Sequence, residues 1–197
     1  MLALTATGAV NATVITFDGL GLNVEDPVSV DSYLFDYVDY SGWAIDDPAN
    51  RDLVNEVENG TDFITCLANS VRGCGIILSA EEGGLFSLHS FDGADGLLNI
   101  GGQTIQVTGT YPDSSTVVES FLTVANVFTN YQLGIEFTGL SSVEFRGPGS
   151  GDYILALDNI EVTRIPEPSS LMIVAIAVAA AMSVCRRRHR PPRIRGG

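Results

Sequence analysis

Alternation of apolar and polar residues dominates the chain between residues 13 and 163. The pattern is clearest in Gln103–Gly109, where from Thr104 onward two threonines and a glutamine alternate with isoleucine, valine and glycine. Successive side chains of a strand point to opposite faces of its sheet, so this period of two predicts a strand with one face buried. Thr116–Val124 follows after a turn over 111–115, and we expect it to pair back as a hairpin.

Similar short segments, bounded by Gly, Asp, Asn and Pro, fill the rest of this region. The predicted strands are Thr13–Phe17, Ser29–Val38, Gly42–Ile45, Thr61–Cys66, Cys74–Ser79, Leu85–Phe91, Tyr131–Thr138, Ser141–Arg146, Tyr153–Leu157 and Asn159–Thr163. We expect the fourth and fifth of these to form a hairpin, and the seventh and eighth to form another through Gly139 and Leu140. The acidic stretch 46–58 is predicted to be a loop. Short strands with glycine-rich turns indicate an all-β fold, an antiparallel β-sandwich.

The chemistry changes abruptly after residue 163. A linker over 164–170 contains Pro166-Glu167-Pro168, in which two prolines hold the glutamate extended. The residues from Ser169 to Cys185 carry no charge, and we predict a C-terminal transmembrane helix over 171–185, at the short end of what a bilayer needs. The tail 186–197 is rich in arginine. Its basic cluster consists of Arg186, Arg187, Arg188 and Arg190.

These three parts, in this order, resemble the PEP-CTERM sorting signal of Gram-negative bacteria. The resemblance covers about residues 165–190, and the extra residues 191–197 depart from the usual pattern. It implies that a membrane protease, exosortase, recognises Pro166-Glu167-Pro168, removes the helix and tail, and passes the body to the cell surface or an exopolysaccharide matrix. The alternative is an ordinary C-terminal anchor in which the tripeptide occurs by chance.

Charge is divided by position along the 197 residues. Four arginines and 24 carboxylates give the chain up to Glu167 a net charge of −20, whereas the six remaining arginines make the tail +6. So acidic a body argues against nucleic acid as a partner, because phosphate contacts need a basic patch. Basic flanks stay cytoplasmic, so we expect the tail inside the inner membrane and the body on the periplasmic side.

That orientation requires export, and the first residues fit it only in part. Residues 1–12 lack a basic start, yet they end in Val10-Asn11-Ala12, small residues suited to cleavage before Thr13. We interpret 1–12 as the remnant of an N-terminal export signal whose true start lies upstream of Met1.

Cysteine usage is consistent with export. Cys66 and Cys74 lie eight residues apart with Gly73 between them, and we predict a disulfide between them in an oxidising compartment. Zinc is excluded because there is no second pair of ligands and no histidine nearby. Two free thiols are the alternative.

A second resemblance lies within the body. It is carried by four segments, Phe86–Asp92, Gln106–Tyr111, Phe137–Phe145 and Leu157–Val162. These look like the jelly-roll domains often found before PEP-CTERM signals, which are similar to the β-sandwiches of carbohydrate-binding modules. The resemblance spans about residues 13–163 and implies a fold without specifying a ligand.

The resemblance also bears on metal binding. Jelly-roll modules often carry a structural calcium between the first and last strands, which would point to Asp158 and Asp18. Calcium prefers carboxylate and carbonyl oxygens, which such turns supply. The alternative role of Asp158 is to brace the turn into the last strand.

Two classes of function remain. His89 is the one histidine before the tail, and its neighbours Ser87 and Asp92 make a poor triad because adjacent strand residues point to opposite faces. With no nucleophile or metal constellation, we predict a non-enzymatic surface or matrix protein. Aromatic side chains expected to be exposed, Tyr37, Tyr40 and Trp43, would grip exopolysaccharide. The alternative is an exported polysaccharide hydrolase with the same sorting signal.

Overall fold

The computed structural model describes residues 11–20, 27–38, 42–46, 59–68, 73–95, 102–124, 127–147 and 153–166. Of these, only the backbone is described for residues 42–46, 67–68 and 153–154. Several predictions fall outside these ranges: the first ten residues of the export-signal remnant, Glu167 and Pro168, the transmembrane helix and the basic cluster. Within the described ranges, no helix has the length and apolar character needed to cross a membrane.

Twelve strands and one 3₁₀-helix make up the described structure. The strands are β1 (Ala12–Ile15), β2 (Val28–Val30), β3 (Tyr33–Val38), β4 (Gly42–Asp46), β5 (Phe63–Ala68), β6 (Gly75–Ala80), β7 (Leu85–Asp95), β8 (Thr104–Thr110), β9 (Thr116–Leu122), β10 (Thr129–Gln132), β11 (Ser142–Arg146) and β12 (Tyr153–Ile165). The 3₁₀-helix is Ile135–Phe137. Glycine and asparagine at positive φ, such as Gly139 at 77° and Asn159 at 46°, mark turns and irregularities between or within strands.

The strands form two antiparallel sheets. Sheet A has the order β10-β7-β12-β5-β4, and β1 pairs with the second half of β12 beside β5. Sheet B has the order β2-β3-β6-β11-β8-β9. The prediction of an antiparallel β-sandwich is therefore confirmed, as is the β8–β9 hairpin, in which Thr110 pairs with Thr116.

The core lies between the sheets and is rich in phenylalanine. Phe91 of sheet A packs edge-on against Phe145 of sheet B, with ring centroids 5.1 Å apart, and Phe17 meets Phe35 in the same way. All four side chains are fully buried. The chain divides into two compact units, Met1–Ile165 and Pro166–Gly197, and every described core residue belongs to the first. The described core is therefore formed within that unit.

The disulfide between Cys66 and Cys74 is present, but the hairpin predicted around it is wrong. β5 belongs to sheet A and β6 to sheet B, so the chain crosses the sandwich between them. Both cysteines point inward, are fully buried and have Cα atoms 6.0 Å apart. The bridge thus links the two sheets covalently.

The second predicted hairpin, between 131–138 and 141–146, is also wrong. β10 pairs with β7 in sheet A, whereas β11 lies between β6 and β8 in sheet B. Between them the chain again changes sheets, and the fully buried side chain of Phe137 joins the core there. Because this residue anchors the crossing, the segment that looked like one strand becomes a short strand and a helical turn.

The two last predicted strands are one. β12 continues through Asp158 and Asn159 to Ile165, two residues into the predicted linker. Its register with β7 shifts twice: Asp158 pairs with Asp92, Glu161 with Ser90, and Val162 with Leu88. The first shift places an extra residue in β12 near Asn159, and the second places His89 as an extra residue in β7. The two bulges compensate each other, so the sheet resumes its original register.

Candidate functional site

A group of polar side chains lies on the outer surface of sheet A. We call it the polar patch: His89, Ser90 and Asp92 of β7, Asn130 and Gln132 of β10, and Asn159, Glu161 and Thr163 of β12. Three neighbouring strands supply it, and their register arranges it in rows across the sheet. One row runs from Asn130 to Asp92 to Asp158, and the next from Gln132 to Ser90 to Glu161.

Asp92 is the centre of the hydrogen bonding in the patch. Its Oδ1 accepts from Nδ2 of Asn130 and its Oδ2 from Nδ2 of Asn159, both at 2.8 Å. Nε2 of Gln132 donates in turn to Oδ1 of Asn130 at 2.5 Å. Asn130 and Gln132 are exposed, and Asp92 and Asn159 are half-buried. Mutual hydrogen bonds therefore hold the amides and the carboxylate in place while leaving them within reach of a ligand.

The bulge at His89 shapes the remainder of the patch. Ser90 donates from Oγ to Oε2 of Glu161 at 3.1 Å, and Nε2 of His89 lies 2.8 Å from Oγ1 of Thr163. The partner of His89 is thus a threonine, and no described contact joins it to Ser87 or Asp92. The weak triad considered from the sequence is not assembled.

The patch has a definite boundary along the same surface. Beyond Asp158, the outward-facing Ala94, Ala156 and Phe63 are buried, and the ring of Phe63 lies 5.2 Å from that of Phe128. A ligand could not reach the sheet there. The accessible polar surface therefore ends at the row containing Asp92.

No contiguous segment of the sequence indicates this patch. Its residues come from positions near 90, 130 and 160, and only strand pairing brings them together. The one local signal was the dipeptide Asp158-Asn159, because asparagine tolerates the left-handed conformation that creates a bulge.

Asp158 is buried next to the patch, with 1 % of its surface exposed. Its Oδ2 accepts from Nδ2 of Asn59 at 2.6 Å and from Oγ1 of Thr61 at 2.9 Å, whereas Oδ1 has no hydrogen-bond partner among the described residues. Burial raises the pKa of this carboxyl. The N–H of Asn159 and the two hydrogen bonds oppose the rise, and the negative charge of Asp18 adds to it.

Asp18, the second residue proposed for calcium, follows β1 and lies near enough to influence Asp158. Its Oδ1 accepts from the N–H of Asp62 at 3.3 Å, while Oδ2 of Asp62 accepts from the N–H of Gly19 at 2.8 Å. The oxygen donors and the unpartnered Oδ1 fit the chemistry of a hard cation. However, the described residues contain no group of three or more acidic, histidine or cysteine side chains placed to hold a metal.

The prediction that Tyr37, Tyr40 and Trp43 are exposed aromatic residues is wrong for Tyr37. Tyr37 lies in β3 with 8 % of its surface exposed and belongs to the core between the sheets. Its alternation with Phe35 and Tyr33 explains this, because all three side chains point to the same face. Trp43 lies in β4 opposite Cys66, but only its backbone is described, and Tyr40 lies outside the described residues.

Of the sorting motif, only Pro166 is described; it is exposed and follows β12 directly.

No protein-family model matches this sequence, and no curated protein does. Solved structures do match. A carbohydrate-binding module of family 29 has a TM-score of 0.52 and 13 % identity, covering 78 % of this chain and 88 % of its own. The family 29 module CBM29_1 from Piromyces equi has a TM-score of 0.51 and 11 % identity, with 79 % and 91 % covered. A CBM29-2 mutant complexed with mannohexaose has a TM-score of 0.53 and 10 % identity, with 78 % and 92 % covered. At such identities the likeness shows the fold alone: the described body is a β-sandwich of the carbohydrate-binding-module type.

Proposed function

We propose that this chain is an exported, non-enzymatic surface or matrix protein that binds polysaccharide through the polar patch. The observation that carries the proposal is the set of three amides hydrogen-bonded around the carboxylate of Asp92, of which Asn130 and Gln132 are exposed. The fold supports it, because solved structures of similar fold are carbohydrate-binding modules, and one of them is complexed with mannohexaose.

The chemistry of the patch suits sugar hydroxyls. Each amide offers two donors and an acceptor, and each carboxylate accepts from several hydroxyls, so neighbouring hydroxyls of a sugar ring find matched partners. Asp92 and Glu161 make the patch negative, which favours a neutral polysaccharide over an anionic one. Trp43 pairs with the inward-facing Cys66, so Tyr40 alone remains our proposed stacking residue.

Binding is tested by calorimetry with mannohexaose, cellulohexaose and the producer's own exopolysaccharide. Replacing Asn130 and Gln132 together by alanine should weaken binding about tenfold or more, since each lost hydrogen bond is worth about 0.5–1.5 kcal/mol. Gln106→Ala is the matched control, because Gln106 is exposed on the outer surface of sheet B. If all three proteins bind equally, the patch is not the site.

Turnover is measured in the same samples. We expect the chain length of the polysaccharide to remain unchanged. Steady release of reducing ends, abolished by Asp92→Asn, would instead favour the hydrolase.

Sorting and location complete the proposal. We propose that Pro166-Glu167-Pro168 is recognised by an exosortase-type protease and that 171–185 anchors the chain in the inner membrane of a Gram-negative bacterium. The basic cluster from Arg186 to Arg190 keeps the tail cytoplasmic, with the body on the periplasmic side. After processing, the body reaches the cell surface or the extracellular matrix.

We also propose that calcium binds at Asp158 with Asp18. The supporting observation is the buried, unpartnered Oδ1 of Asp158. Calcium should raise the melting temperature of residues 1–165, and Asp158→Asn or Asp18→Asn should abolish the increase. Asp31→Asn, which changes an exposed carboxylate, should preserve it. An equal increase in all four proteins would place calcium elsewhere.

A further inference from the structure

β9 forms one edge of sheet B and carries exposed apolar side chains. Among the described strands it pairs with β8 alone. Along its outward face, Val118 is 53 % exposed and Leu122 is 66 % exposed, and Val124 follows at 54 %. An edge strand without proline or lysine offers both unpaired backbone groups and an apolar strip to another strand.

The hydrogen bonds of the β8–β9 hairpin show which backbone groups are available. At the turn, the N–H of Tyr111 donates to the C=O of Ser115, and at the far end the N–H of Thr123 donates to the C=O of Gln103. Antiparallel pairs alternate, so the odd-numbered residues of β9 bond to β8 and the even-numbered residues point to the open edge. The residues with open backbone groups are therefore the same ones whose side chains face outward.

Charge is sparse in this part of an otherwise acidic body. Between residues 103 and 124 the only charged side chains are Asp113 and Glu119. A second copy approaching this edge meets less repulsion than at the remainder of a body with a net charge of −20.

Three symmetric registers have their centre within one residue of the middle of β9, and we compare these for pairing with β9 of a second copy. Centring on Glu119 would place two glutamates directly opposite each other, which is unfavourable. Centring on Val118 would set Leu122 against Ser114, a turn residue at φ 67° that cannot continue a strand. Centring on Ser120 places Val118 of each copy opposite Leu122 of the other, and these paired residues all belong to β9.

We propose that two copies of this chain associate through antiparallel β9–β9 pairing centred on Ser120. Ser120 has its N–H and C=O on the open edge, so it forms a hydrogen-bonded pair with its counterpart. Leu122 also takes part: its C=O already accepts from the hydroxyl of Tyr131 at 2.9 Å, and its second lone pair accepts from Val118 of the other copy. The occupant of this edge is thus a second copy, held by main-chain hydrogen bonds and by the side chains of Val118 and Leu122 from both copies.

Sedimentation equilibrium of residues 1–165 tests the association. We expect a concentration-dependent dimer, and expect Val118→Lys with Leu122→Lys to weaken it by at least about tenfold. Val14→Lys is the control, because Val14 is 50 % exposed on β1 of the other sheet. It should leave the dimer unchanged.

Cross-linking tests the register. In a hydrogen-bonded antiparallel pair the Cα atoms are about 5.5 Å apart, which suits a disulfide. Ser120→Cys should therefore cross-link under oxidation, whereas Val118→Cys and Glu119→Cys should not. A monomer at all concentrations, assemblies larger than a dimer, a dimer insensitive to the lysines, or stronger cross-linking at 118 or 119 would each overturn the proposal.

Discussion

Loss of the Cys66–Cys74 bridge should lower the stability of the body by an amount that depends on how the bridge is removed. The bridge closes a loop of eight residues, for which the chain-entropy estimate is about 2.5 kcal/mol. Reduction alone should cost about this much. Because both sulfurs are fully buried between the sheets, replacing both cysteines by alanine also leaves two small cavities, each worth about 1 kcal/mol. The double variant should therefore lose about 4–5 kcal/mol in total.

Urea unfolding of residues 1–165 measures both losses. We compare the oxidised protein, the protein reduced under denaturing conditions and refolded in reductant, and Cys66→Ala with Cys74→Ala. Alkylation followed by mass spectrometry confirms the state of the thiols, which should be blocked in the oxidised protein. Equal stability of the oxidised and reduced proteins, or a double variant no worse than the reduced one, would refute the reasoning.

The remaining predictions concern a buried charge, a packed glycine and the sorting motif. Burial raises the folded-state pKa of Asp158, so without calcium its contribution to stability is present below the unfolded-state pKa and is lost as pH rises through the folded-state pKa. The unfolding free energy of the wild type relative to Asp158→Asn should therefore fall as pH rises from about 4. An unchanged difference would contradict the raised pKa of Asp158. Gly93→Ala should cost about 1–3 kcal/mol, because its Cβ would lie 2.8 Å from the ring of Phe91, whereas Gly84→Ala, next to a flexible arginine, should cost less in the same urea titration. In a host with exosortase, Glu167→Ala should remain full-length and membrane-bound on immunoblots; trimming like that of the parent would favour the simple anchor.

Local patterns predicted the parts of the fold that local interactions determine. The β8–β9 hairpin was found because alternation and a turn at 111–115 lie within one short stretch. The disulfide was found from its spacing. The hairpins predicted at 61–79 and 131–146 failed for one shared reason: in both places the chain crosses between the sheets, and a crossing looks like a turn in the sequence.

The polar patch could not be predicted because it depends on register. Asn130 and Asp92 are 38 residues apart, and Asn159 and Asp92 are 67 apart. A register error of one residue would turn all of these side chains to the opposite face. Tyr37 was placed on the wrong face for a related reason. The alternation around it predicted a strand correctly but did not show which face of the strand is buried.

Two adjacent residues of β12 connect the proposed cation site with the polar patch. Asp158 points to Asn59 and Thr61, whose loop it ties to the strand, while Asn159 adopts φ 46° and reaches Asp92. The bulge there shifts the register, which sets Glu161 opposite Ser90. Because the two residues are adjacent in β12, a cation bound at Asp158 would lie beside the bulge that positions Asn159. Stability of the sandwich and order in the patch therefore depend on the same two residues of the strand.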